Sequence, residues 1–124
     1  MKIAVTSQNF RTISGHAGKT RRFLIFDQDN TGNPVEVDRL DLPKEMSLHE
    51  YHGDDHPLFA FDVIITGGSG QGFIQRMTAH GLQVVTTSET DPYLAAGSVF
   101  RGEPLPPALP QDHHHGQQVV MPVP

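Results

Sequence analysis

Cysteine is absent from this chain, which removes disulfide frameworks, thiolate nucleophiles and Cys ligation of zinc or of an iron–sulfur cluster. Any metal must be held by His, by carboxylates or by electrostatics. Long apolar runs are absent too. The first ten residues, MKIAVTSQNF, are too briefly apolar for the core of a signal peptide, and no later stretch approaches a membrane span. A cytoplasmic protein without membrane contact is expected. A basic balance is also lacking: the net charge of -5 argues against a general nucleic-acid binder. The 124 residues fit one domain, large enough to bury a core without cross-links.

What charge there is falls unevenly. Ten of the fourteen Asp and Glu residues lie between Asp27 and Asp62, and four of the nine Lys and Arg residues lie between Arg11 and Arg22. A basic island is thus hidden in an acidic chain. At its centre Ser14–Arg22, SGHAGKTRR, sets His16 among glycines and follows it with cations. Gly15 and Gly18 are expected to free the backbone to turn with positive φ or to approach a ligand closely. His16 then faces outward as a metal ligand or hydrogen-bond partner, with Arg11, Ser14, Lys19, Arg21 and Arg22 around it. That set suits an anionic ligand; a solvated hairpin loop is the plainer alternative.

The element pattern is α/β. Strands are expected at 2–6 (KIAVT), 23–27 (FLIFD), 35–40 (VEVDRL), 62–66 (DVIIT) and 82–87 (LQVVTT). The third alternates as a half-exposed edge strand does, hairpin-paired with the second. Residues 41–60 suggest a short, imperfect helix decaying into a loop. Helices are expected at 73–80, closed by Gly81, and at 93–98, opened by Asp91 and Pro92. The order β-β-β-α-β-α-β-α packs as a mixed five-stranded sheet with helices on both faces. Past Arg101 the composition turns proline-rich, with six of ten prolines, so residues 102–124 are expected to be a disordered or extended tail. His113, His114 and His115 within it bind Ni, Zn or Cu weakly at best.

Two further groups carry chemistry. His49, His52 and His56 would form one stripe on a continuous helix, though Gly53 and Pro57 oppose one; the plain alternative is a solvated polar loop. Gly67–Gly72, GGSGQG, follows a strand and opens a helix, so the amides of Gly67, Gly68 and Gly70 are expected to point at an anion. The spacing is neither the dinucleotide nor the triphosphate fingerprint, and it has no lysine. Glu89 stands where a ribose-binding acid would. A two-metal nuclease is disfavoured because the first strand has no acid, and no G-x-S-x-G elbow marks a hydrolase.

Together MKIAV, the Ser14–Gly18 pattern Ser-x-His-x-Gly before FLIFD, DVIITGG with its G-x-G continuation, and the last helix resemble the dinitrogenase iron-molybdenum cofactor biosynthesis family. This is the NifX type, which takes in the NafY core, the C-terminal part of NifB and the molybdenum-copper orange protein. The resemblance covers residues 1–101. It implies a ribonuclease H-like, three-layer α/β/α fold with sheet order 3-2-1-4-5 and strand 2 antiparallel. It also implies a carrier rather than an enzyme, holding a Mo/Fe or Mo/Cu metal–sulfur cluster non-covalently for metallocofactor assembly or acceptor proteins, as a monomer or weak dimer. By the same resemblance, the histidine loop lies near the first loop, so His16, His49, His52 and His56 are the metal-ligand candidates, with His52 and His56 preferred for the later loop. Where the family usually has His-Phe-Gly, this chain has His16-Ala17-Gly18, which removes an apolar side wall. The alternatives are a nucleotide-binding or hydrolytic site at GGSGQG, or an interaction module without a ligand.

Overall fold

The computed structural model describes residues 1–109. Five strands form one sheet of order β3-β2-β1-β4-β5: β1 Ile3–Thr6, β2 Arg22–Gln28, β3 Pro34–Asp41, β4 Val63–Thr66 and β5 Gln83–Thr86. β2 runs antiparallel to both β1 and β3, while β1, β4 and β5 are mutually parallel. The order and the reversed second strand are those expected. Ile3–Thr6 and Val63–Thr66 are buried throughout, as central strands covered on both faces must be. β3 is an edge strand with Val35 and Val37 exposed, and a register shift at Ile25/Phe26 interrupts its pairing with β2.

Each face of the sheet carries one helix. On one face Ile3, Val5, Leu24, Phe26 and Ile65 meet Ala95 and Ala96 of α2, Pro92–Phe100. Asp91 Oδ1 caps that helix by accepting from the N–H groups of Tyr93 and Leu94 at 2.9 and 3.3 Å. On the other face Ala4, Phe23, Ile25 and Ile64 pack with Met77 of α1, Gln71–Ala79. Gly81, at φ 87°, turns the chain out of α1 into β5.

The helix expected within residues 41–60 does not form. That segment instead makes two short 3-10 turns, Lys44–Met46 and Pro57–Ala60, and buries Leu48 and Leu58 under the α1 face. Pro43 and Pro57 each supply a fixed φ and no amide donor, so an α-helical ladder cannot run through. The chain is an irregular strap, and its histidines share no helical stripe. Asp62 and Asp27 serve locally: Asp62 Oδ2 accepts from the Lys2 N–H at 2.9 Å and Asp27 Oδ1 from that of Gln28 at 2.8 Å.

From residue 102 to residue 109 the backbone has neither helix nor strand. The Pro106 carbonyl accepts from Thr87 Oγ1 at 2.6 Å and the Ser88 N–H at 3.3 Å, and Leu105 packs on the α2-side core. The rest of the tail, including His113, His114 and His115, lies outside the described residues. Among the described residues, no helix is long and apolar enough to cross a membrane.

Candidate functional site

β1 and β4 are adjacent and parallel, so the loops leaving their C-terminal ends emerge side by side. A small polar knot joins them. Thr6 Oγ1 donates to the Ser14 carbonyl at 2.6 Å and lies 3.0 Å from Thr66 Oγ1. The Gly67 N–H donates to the same carbonyl at 2.9 Å, and the Ala17 N–H to that of Gly68 at 3.1 Å. A Cβ at Gly67 would stand 3.2 Å from Ser14 O, so glycine is what lets the loops close on each other.

Positive φ does not fall where the glycine pattern puts it. Neither Gly15 nor Gly18 adopts it; His16 does, at 54°. The His16 carbonyl then accepts from the N–H groups of Lys19 and Thr20 at 2.9 and 3.1 Å, which fixes the turn and leaves the imidazole exposed. Ala17 is wholly buried.

A pocket of about 200 Å³ opens beside this turn, lined by His16, Ala17, Gly18, Lys19, His49, Ser69, Gly70 and Phe73. Three elements meet in it: the first loop, the strap and the start of α1. The strap is latched by the His49 N–H, which donates to the Gly18 carbonyl at 2.6 Å. From α1, Arg76 holds the same segment, with Nη1 on Leu48 O at 2.7 Å and Nη2 on Tyr51 O at 2.5 Å. α1 begins at Gly70 with no side-chain cap, so its first amides are open to a partner outside the helix. The buried Ser14 and Ser69 hydroxyls have no hydrogen-bond partner among the described residues, and Ser69 is one of the residues that line the pocket.

The expected site residues divide accordingly. His16, Lys19 and Gly70 line the pocket together. Ser14 contributes its carbonyl to the knot beneath. Gly67 and Gly68 stitch the loops and spend their amides internally, the latter on Thr66 Oγ1 at 3.3 Å, so they do not offer the anion cradle expected of them. Arg11 belongs to the Asn9 turn, its N–H donating to Asn9 Oδ1 at 2.8 Å. Arg22 reaches the Gln8 carbonyl and Asp41. Arg21 faces a neighbouring cavity shared with Lys44. Glu89 Oε2 accepts from the N–H groups of Thr90 and Asp91 at 3.0 Å, so this oxygen serves the turn that leads into α2.

Of the later histidines His49 reaches the pocket, rather than the preferred His52 and His56. His52 is exposed on the strap and lines none of the pockets described here. His56 is buried, and both its ring nitrogens are engaged: Nδ1 accepts from the Leu58 N–H at 3.0 Å, and Nε2 donates to Met46 O at 2.6 Å. Burial, aided by the nearby Arg76 charge, pushes its pKa down even against the Met46 hydrogen bond. It is a neutral structural histidine and a poor metal ligand. No group of three or more His, Asp or Glu side chains able to hold a metal ion occurs among the described residues.

Phe73 went unnoticed in the sequence, and it supplies an apolar wall from α1 where the Phe-to-Ala change at residue 17 had seemed to remove one. Its signal was its position directly after the glycine run, in the first turn of α1. Residues 1–99 match the family model described as dinitrogenase iron-molybdenum cofactor. The solved structure titled "Crystal structure of PH0822" is similar in fold, with a TM-score of 0.62 and 20% identity over 83% of this chain and 93% of that one. No curated protein matches the chain.

Proposed function

This chain belongs to the dinitrogenase iron-molybdenum cofactor family, and from that premise we propose that it carries an anionic metal–sulfur cluster, or a precursor of one, between proteins of metallocofactor assembly. The cargo is of the Mo/Fe or Mo/Cu type and sits in the pocket between His16, His49 and the start of α1. The observation that supports this most is the convergence there of two imidazoles, the Lys19 ammonium and an uncapped helix start.

The donor set fits a preassembled cluster better than a bare ion. A bare ion needs three or four protein ligands, and this pocket offers two imidazoles. A cluster that brings its own sulfides needs few. Lys19 and the open amides of α1 offset its negative charge, the Ser69 hydroxyl offers one more donor, and Phe73 gives an apolar surface for the sulfides. His16 and His49 either donate N–H to sulfide or ligate an exposed metal through a neutral nitrogen. Without thiolate ligands the cargo stays exchangeable, as a delivery protein requires. The role is binding and transfer rather than catalysis. A nucleotide at GGSGQG gains no support, because two of its glycine amides are already spent.

Reconstitution with tetrathiomolybdate, alone and with copper, followed by the visible charge-transfer spectrum, tests the reading. Wild type is expected to load saturably. His16→Ala and His49→Ala should each weaken loading by about ten-fold, the scale of one charge-assisted hydrogen bond or one ligand, and His52→Ala should not. Equal loading by wild type, His16→Ala and His49→Ala would place the cargo elsewhere.

A further inference from the structure

Next to the cargo pocket lies a wider cavity of about 450 Å³, lined by Lys19, Arg21, Lys44, Ser47, His49 and Glu50. Lys19 and His49 belong to both, so the two spaces adjoin across these side chains. Three cations face the wider one, and none has a carboxylate within ion-pair distance among the described residues. Four other arginines are committed: Arg22 to Asp41, Arg39 to Glu36, Arg101 to Glu103 and Arg76 to the strap carbonyls, while Arg11 stands apart on the Asn9 turn. Glu50 is the acid on this wall, and its Oε2 is turned to within 3.9 Å of His49 Nε2.

Resting on the carrier reading, we propose that this basic shelf docks an acidic segment of the protein that donates or receives the cargo. Charge complementarity selects the occupant. The chain as a whole is acidic, at -5, so a carboxylate-rich partner is repelled by most of the surface and drawn to the cations left unpaired. The shared wall supplies the reason for the place: a partner held at Arg21 and Lys44 abuts the cargo across Lys19 and His49. Carboxylates arriving there also compete for Lys19, and so loosen the cargo's grip at the moment a receiver is present. The shelf thus sets the orientation of docking, and its contribution to affinity falls with salt.

The probe is a blocked oligoglutamate peptide titrated calorimetrically into the whole chain at low ionic strength. Wild type is expected to bind it, and to bind it more weakly at about 0.15 M salt. The double variant Arg21→Glu/Lys44→Glu should lose about ten-fold or more in affinity, the scale of removing charge complementarity at an interface. Tetrathiomolybdate loading of the neutral variant Arg21→Gln/Lys44→Gln should stay within about three-fold of wild type, because neither residue lines the cargo pocket and no new carboxylate is set beside Lys19. If charge reversal prevents folding, judged by circular dichroism, Arg21→Gln/Lys44→Gln takes its place with an expected loss of about three-fold. Unchanged peptide affinity in the folded variant, or no binding by wild type, would overturn the proposal. So would inorganic phosphate displacing the peptide and binding alone as tightly, which would make the cavity a small-oxyanion pocket. Peptide binding lost on charge reversal in a protein that never loads thiomolybdate would sink the cargo reading and leave the docking surface standing.

Discussion

With φ at 54°, His16 sits in the left-handed region, where a residue bearing a Cβ costs about 1–2 kcal/mol. Glycine there would escape that cost and give back part of it, about 0.5–1 kcal/mol, in unfolded-chain entropy. His16→Gly is therefore expected to leave the thermal midpoint unchanged or slightly raised, while loading falls as far as in His16→Ala; a clear loss of stability would mean that the imidazole supports the fold. The sequence marked this residue, because a histidine between glycines and before cations stands out. It could not say which residue takes positive φ, since the amides of Lys19 and Thr20 that fix the turn on the His16 carbonyl are a property of the folded loop. Choosing among His49, His52 and His56 failed for a similar reason. Helix spacing and the resemblance brought the histidines near the first loop, but neither reports which imidazole an irregular strap turns toward the pocket.

The strap from Lys44 to Ala60 is where sequence reading fell furthest short. It has helix-forming residues, but Pro57 interrupts the ladder near its end, and what orders it is tertiary: Leu48 and Leu58 in the core, the Arg76 guanidinium on its carbonyls, and the His56 ring between Met46 and Leu58. Arg76→Met keeps the aliphatic stem and removes the donors. It is expected to cost about 1–3 kcal/mol, the range for leaving such polar groups unpaired, read as a lower urea midpoint. Amide exchange should quicken at Glu50 and Tyr51, and loading should fall because His49 loses its support. His56 gives the strap a pH dependence. Its folded pKa lies below the ordinary histidine value, so the unfolded chain binds more protons as pH falls and stability drops with it. The contribution is whole above about pH 6.5, the ordinary value, and declines below that until the folded ring itself titrates. Urea midpoints measured from pH 8 to pH 5, about the range where histidine charge changes, should fall in wild type, and His56→Gln should flatten the curve while being less stable at neutral pH.

For the molecule as a whole, sheet order and strand direction were legible, because buried β-branched runs, a hairpin turn and a helical crossover leave few ways to connect five strands. How the two loops lock together was not, since the Thr6–Ser14–Gly67 knot depends on backbone atoms that no side-chain pattern reports. Gly67→Val tests that knot: a branched side chain 3.2 Å from Ser14 O is expected to cost about 1–3 kcal/mol by overpacking and to part the loops, which thermal unfolding and loss of loading would both record. The two helices differ in a way that reaches beyond architecture. α2 enters on Asp91, whose carboxylate takes up its first amides, whereas α1 enters on Gly70 with none to do so. The first amides of one helix are therefore met from within the chain, while those of the other have no side-chain cap. Hydrogen exchange at Gln71, Gly72 and Phe73 should slow on loading and stay constant at Tyr93 and Leu94, giving the protein an internal gauge of its own occupancy beside an internal standard.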